Sequence, residues 1–188
     1  MLRDLLPAGR VVTTIGAMVT IEELLQRVQV LEDERELRQV MATYAFHADL
    51  GASRAWVDLF TEDGAVDLGD SVMAMTGGAP PPGYPVSPRF QGPEQLLLNF
   101  ITALPHRRIE GRSQHHTVGP VIFDIEGDEA SARGYSLVIT RREGELGIEA
   151  ANFNRWRFRR EGGRWRIVER AMRPIGSQEV RQLFPVEA

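Results

Sequence analysis

The sequence predicts an α+β fold: a cone-shaped α+β barrel in which a strongly curved, mixed or antiparallel sheet wraps around N-terminal helices. Three observations predict it. Apolar residues recur at helical spacing up to about residue 104, alternation takes over from Arg112 onward, and Gly-containing turns divide that second half into a meander. A run of helices followed by a run of antiparallel strands sets the helices on one face of a sheet.

The helical part begins at Thr20, which forms a capping box with Glu23 and leads the stripe Ile21, Leu24, Leu25, Val28 and Leu31. A second box, Asp33 with Glu36, opens the segment to Asp49, where Leu37, Val40, Met41, Tyr44 and Ala48 share one face and Gly51 is the stop. The two stripes read as one bent helical arm. Ser53 caps a short helix ending at Trp56 to Phe60, after which Thr61 to Gly64 reads as a turn into a brief strand, Ala65 to Leu68. Gly69 to Gly92 is Pro- and Gly-rich, too long for a simple connection, and carries Met73, Met75, Tyr84 and Phe90; it reads as a lid or binding loop. Pro93 fits the first position of a helix ending before Pro105. Strands are expected at 113–118, 120–126, 130–142, 147–160 and 164–172, separated by turns at Gly127, Gly144 and Gly162-Gly163.

A chain of 188 residues supports one domain, expected at 20–173, with 1–19 as an extension and 174–188 as a tail. The net charge of −4 and the lack of a basic cluster argue against nucleic acid. The absence of cysteine removes disulfides, thiolate nucleophiles and Cys-ligated zinc, and no His spacing supports another metal site, so neither metal nor cofactor is expected. Pro7 and Gly9 break the opening residues, which gives a poor signal peptide and no membrane span; a cytoplasmic location is the expectation.

In the strand around Phe153 to Arg159, alternation puts Asn154, Trp156 and Phe158 on one face and the arginines on the other, a solvated face. His115 and His116 are adjacent in a strand and point to opposite faces, and alternation alone does not choose between them. Tyr44 offers a hydroxyl to a substrate oxygen, with His47 one turn further on the same face. Arg170 offers a cation for an anionic group or a structural pair with a helix acid. Sheet surface left uncovered, including Phe153, calls for a homo-oligomer.

Taken together, several motifs resemble the SnoaL-like branch of the nuclear-transport-factor-2-like superfamily over about residues 20 to 173. They are LED at Leu31 to Asp33, YAFHAD at Tyr44 to Asp49, LFTEDG at Leu59 to Gly64, His115 ahead of Pro120 to Phe123, Gly127 to Ala130, and GRWRIVER at Gly163 to Arg170. Within that branch the pattern is similar to scytalone dehydratase, bile acid 7α-dehydratase and hexachlorocyclohexane dehydrochlorinase. The resemblance implies an acid–base pair of Asp49 and His115, with Tyr44 and Arg170 as further catalytic residues. It also implies a trimer or dimer. The expected substrate is a hydrophobic, cyclic small molecule lined by His47, Phe60, Val66, Asn154, Trp156 and Tyr84, and the expected reaction is cofactor-independent dehydration. A cyclase or ketosteroid-type isomerase is the alternative within catalysis, and a non-catalytic binding or ring-hydroxylating-oxygenase small subunit the alternative outside it. The chain departs from the pattern in its long loop and at Gly119, where many relatives carry Asn.

Overall fold

The computed structural model describes residues 19–69, 89–101, 113–142 and 144–183. Helix α1, Ile21–Asp49, starts at the expected box: the Thr20 hydroxyl accepts from the Glu23 amide at 3.1 Å, and the Glu23 carboxylate accepts from the Thr20 amide at 2.9 Å. It ends before Gly51, whose φ of +69° suits a residue without Cβ. Asp33 is not a cap. The helix runs through it unbroken, and its side chain is buried on the same face as Leu37, Met41, Tyr44 and Ala48. The earlier stripe from Ile21 to Leu31 stays exposed instead of entering the core. Helix α2, Ser53–Val57, begins at Ser53 without a side-chain cap and buries Trp56 completely.

Among the described residues there are six strands, β1 Phe60–Asp67, β2 Arg89–Gln91, β3 Ser113–Glu126, β4 Glu129–Arg142, β5 Glu145–Glu161 and β6 Arg164–Pro174. Their order in the sheet is β2-β1-β6-β5-β4-β3. The β1–β6 pairing is parallel and the other pairings among the described residues are antiparallel, so the sheet is mixed. Among the described residues β2 and β3 are its two edges, so the sheet is not closed on itself, and the α+β fold of a mixed sheet over an N-terminal helix is the one the sequence predicts. Helix α3, Pro93–Gln95, passes into a π-helical turn, Leu96–Ile101, and α4, Val180–Leu183, follows β6. The greater part of the Gly69–Gly92 loop, Tyr84 included, lies outside the described residues, as does the expected helix end near Leu104.

Two segments read as breaks are bulges. Thr61 to Gly64 belongs to β1, where the register against β6 slips between Phe60, opposite Ile167, and Ala65, opposite Glu169. Gly64 permits it, since a Cβ there would stand 2.8 Å from the Phe60 Cβ and 2.9 Å from the Thr61 carbonyl oxygen. The two strands expected between 113 and 126 are likewise one, shifted between Val118 and Ile122, with Gly119 at φ +74°.

Helix α1 packs across one face of the sheet against β3 and β6. That face carries Asn152, Asn154, Trp156 and Phe158 of β5, all buried, in the predicted alternation. The opposite face carries the arginines in ion pairs, Arg155 with Glu169 at 3.3 Å and Arg159 with Glu129 at 3.2 Å. Such pairs on a wet face contribute little to stability.

Candidate functional site

Under α1 the sheet surrounds a buried arginine. Arg170 of β6 stands opposite Trp156 on β5 and Val66 on β1, and is 5% exposed. Its Nε and Nη2 donate to Asn154 Oδ1 at 3.0 and 2.8 Å, Nη2 also donates to Ser136 Oγ at 3.3 Å, and Nη1 donates to the Tyr44 hydroxyl at 2.7 Å. Asn154 is held in turn, its Nδ2 donating to Ser136 Oγ at 2.8 Å and to the Asn152 carbonyl at 3.2 Å. The guanidinium lies 4.7 Å from the ring centroids of both Tyr44 and Trp156. Helix and sheet are thus joined at their centre by one cation, bonded to neutral groups and held against aromatic faces.

The local sequence explains the assembly. Alternation along β5 turns Asn152, Asn154 and Trp156 inward together, and antiparallel pairing with β4 sets Ser136 opposite Asn152 and Gly134 opposite Asn154. Small residues on β4 leave room for the amide, and Arg170 reaches over it from the next strand. Tyr44, 2% exposed, descends from α1 with its ring 4.9 Å from Trp56, 5.1 Å from Trp156 and 6.2 Å from Phe60.

Arg170 is buried, and among the described residues no carboxylate pairs with it. Burial pushes the Tyr44 phenol up, against the charge and the hydrogen bond of Arg170, which draw it down. The net shift is upward, and the hydroxyl stays protonated through neutral pH. Chemically the cluster is a set of fixed donors, suited to a carbonyl oxygen or an oxyanion.

Of the residues singled out from the sequence, Tyr44, Asn154, Trp156 and Arg170 meet in this network, with Phe60 and Val66 buried beside it. His47 is half-buried one turn after Tyr44, and its Nδ1 is buried with no hydrogen-bond partner among the described residues. Asp49 is the half-buried last residue of α1. His115 is placed by backbone register alone, opposite Val138, and His116 opposite Leu137. Counting along β4, Val138 has the face parity of Ser136, so the His115 position belongs to the network's face of the sheet. Ser136 and Asn152 were not anticipated; the inward parity of two polar side chains in facing strands is the signal that reveals them. No group of three or more His, Asp or Glu side chains among the described residues converges as a metal site.

The model of the SnoaL-like domain family matches residues 29–171. An NTF2-like protein with a cystatin-like fold from Novosphingobium aromaticivorans is 30% identical, superimposes with a TM-score of 0.72, and is matched over 90% of this chain and 99% of its own. A protein of unknown function from Mycobacterium tuberculosis, 20% identical, gives a TM-score of 0.63 over 84% of this chain and 83% of its own. A putative aromatic ring hydroxylase, also from N. aromaticivorans, is 20% identical with a TM-score of 0.57, over 78% of this chain and 92% of its own. The last two show the fold alone. Among curated proteins none matches.

Proposed function

The chain belongs to the SnoaL-like domain family, and from that premise we propose that it is a cofactor-independent, dehydratase-like lyase acting on a hydrophobic cyclic small molecule. The observation that carries the reading is the buried Arg170–Tyr44–Asn154–Ser136 network, which ends in hydrogen-bond donors instead of a structural ion pair. In this reading Arg170 and Tyr44 hold the substrate oxygen on which charge develops as the adjacent proton leaves. His115 takes that proton and returns it to the departing hydroxyl, so that the C–O bond breaks and water leaves, and Asp49 fixes its tautomer, as the family resemblance implies; the face on which the register puts the His115 position supports the assignment. Phe60, Val66 and Trp156 supply apolar wall, and His47 flanks it.

The test is a panel of cyclic β-hydroxy ketones and cyclic β-hydroxy carboxylates, with elimination read as absorbance of the conjugated product and proton removal as deuterium incorporation next to the carbonyl or carboxyl carbon. Elimination is the expected result. Exchange without elimination favours the isomerase or cyclase alternative, and folded protein that does neither removes the catalytic reading in favour of a binding subunit.

The same proposal includes a homo-oligomer in the cytoplasm; no helix among the described residues is long and apolar enough to cross a membrane. The exposed stripe of Ile21, Leu24, Leu25, Val28 and Leu31 supports association of copies, as does exposed Ile122 and Tyr135 on the outer sheet face. Light scattering at micromolar concentration is expected to give a dimer or trimer, and the double substitution Leu24→Glu with Val28→Glu to dissociate it. A monomeric wild-type chain would remove the assignment.

A further inference from the structure

We infer that the substrate carries a carboxylate, bound where Arg170 Nη1 and the Tyr44 hydroxyl lie side by side; the inference rests on the proposed site and names what enters it. A guanidinium has five N–H donors. Four hydrogen bonds use Nε, both Nη2 hydrogens and one on Nη1, which leaves the second Nη1 hydrogen. The Tyr44 oxygen accepts from Nη1 at 2.7 Å, and no acceptor for its own proton is found among the described residues. Ser136 Oγ accepts from both Asn154 and Arg170, so its hydrogen too is surplus. Every acceptor in the network is engaged by a donor, and hydrogens remain.

Charge points the same way as the donor count. A buried cation is ordinarily balanced by a carboxylate, because an unpaired one is strongly disfavoured. Among the described residues the partners of Arg170 are an amide, a hydroxyl and a phenol, flanked by two aromatic faces that attract the cation without cancelling its charge. A neutral carbonyl would meet the spare hydrogens and leave the charge unbalanced. A carboxylate supplies two oxygens for two adjacent donors and the missing negative charge in one group. The apolar surfaces of Trp156 and Phe60 nearby suit a ring on the far side of that carboxylate.

The test uses 2-naphthoate and its neutral isostere 2-naphthamide, titrated into the full chain by calorimetry and by tryptophan fluorescence. Naphthoate is expected to bind at least about tenfold more tightly than the amide, the worth of one charge-assisted hydrogen bond. Arg170→Met is expected to erase that preference, Arg170→Lys to retain part of it, and Tyr44→Phe to reduce it. Thermal melting shows that each variant is folded at the temperature of the titration, since Arg170→Met leaves the Asn154 oxygen without its donors; where Arg170→Met is unfolded, Arg170→Lys and Tyr44→Phe carry the comparison. Equal affinity for the two probes, no naphthoate binding at millimolar concentration, or a naphthoate preference that survives Arg170→Met overturns the inference. The readout is separate from turnover. Naphthoate preference in a protein that turns over neither the hydroxy ketones nor the hydroxy carboxylates keeps the carboxylate site and discards the lyase, and turnover without the preference does the reverse.

Discussion

His115→Ala is expected to lower turnover at least about 100-fold, the low end for loss of a general base, with the melting temperature unchanged. The donors of the Arg170 network stabilise negative charge but remove no proton, so a base must come from elsewhere on the same face of the sheet. The backbone register gives the His115 position that face and the His116 position the other. His116→Ala is therefore the control, expected to stay near wild-type activity. A carboxylate at Asp49 that accepts one ring N–H holds the other nitrogen as the base, so Asp49→Asn is expected to fall comparably. Because the two act as one unit, the double variant should be scarcely slower than either single one. Steady-state rates on any substrate from the hydroxy ketone and hydroxy carboxylate panel decide it. Full activity in His115→Ala, with His47→Ala inactive, would move the base to the helix.

Local rules reached some parts of this molecule and not others. Thr20 and Glu23 cap α1 as their spacing indicates, because a capping box is a contact between residues three apart and needs nothing distant. The inward set Asn154, Trp156 and Phe158 was equally legible, since the period of a strand is two wherever the strand lies. Asp33 misled for an instructive reason: an acid three residues before Glu36 has the same local signature as a cap. What decides otherwise is Arg160, 127 residues away in sequence. Thr61 to Gly64 has turn composition, and the same glycine that serves a turn serves a bulge once Ile167 stands across from it. The stripe from Ile21 to Leu31 has a helical period, but periodicity cannot say whether an apolar face meets the core or another surface. Of the site, Tyr44, Asn154 and Arg170 could be marked as chemistry-bearing. Their convergence on Ser136 could not, since it depends on which strands are neighbours.

Asp33→Ala is expected to destabilise the fold by about 3 kcal/mol, the low end for breaking a buried ion pair. For a chain of this size that is a fall of about 6–12 °C in melting temperature. Asp33 is 4% exposed, and its Oδ1 accepts from Arg160 Nη2 at 2.6 Å, Gln29 Nε2 at 3.0 Å and Trp165 Nε1 at 3.3 Å. Removing it strands a guanidinium and an indole N–H together. The low end applies because Arg160 keeps Asp128 at 3.0 Å and its place over the Trp165 ring. Burial pushes the Asp33 carboxyl up, but the hydrogen bonds and charge of its partners, Arg160 foremost, outweigh it and hold the group below the ordinary carboxylate range. A folded-state value below the unfolded one contributes stability that is fully present above the unfolded value, around pH 4, and is lost as pH falls through the folded value. The stability gap between wild type and Asp33→Asn should accordingly be constant near neutral pH and narrow below about pH 4. The clasp also sets the axial position of α1. Tyr44 lies eleven residues further along, roughly 16 Å of helix, and any sliding at Asp33 carries its hydroxyl away from Arg170. Chemical denaturation between pH 3 and pH 7 measures both effects, and a variant as stable as wild type across that range would leave α1 held by its apolar face alone.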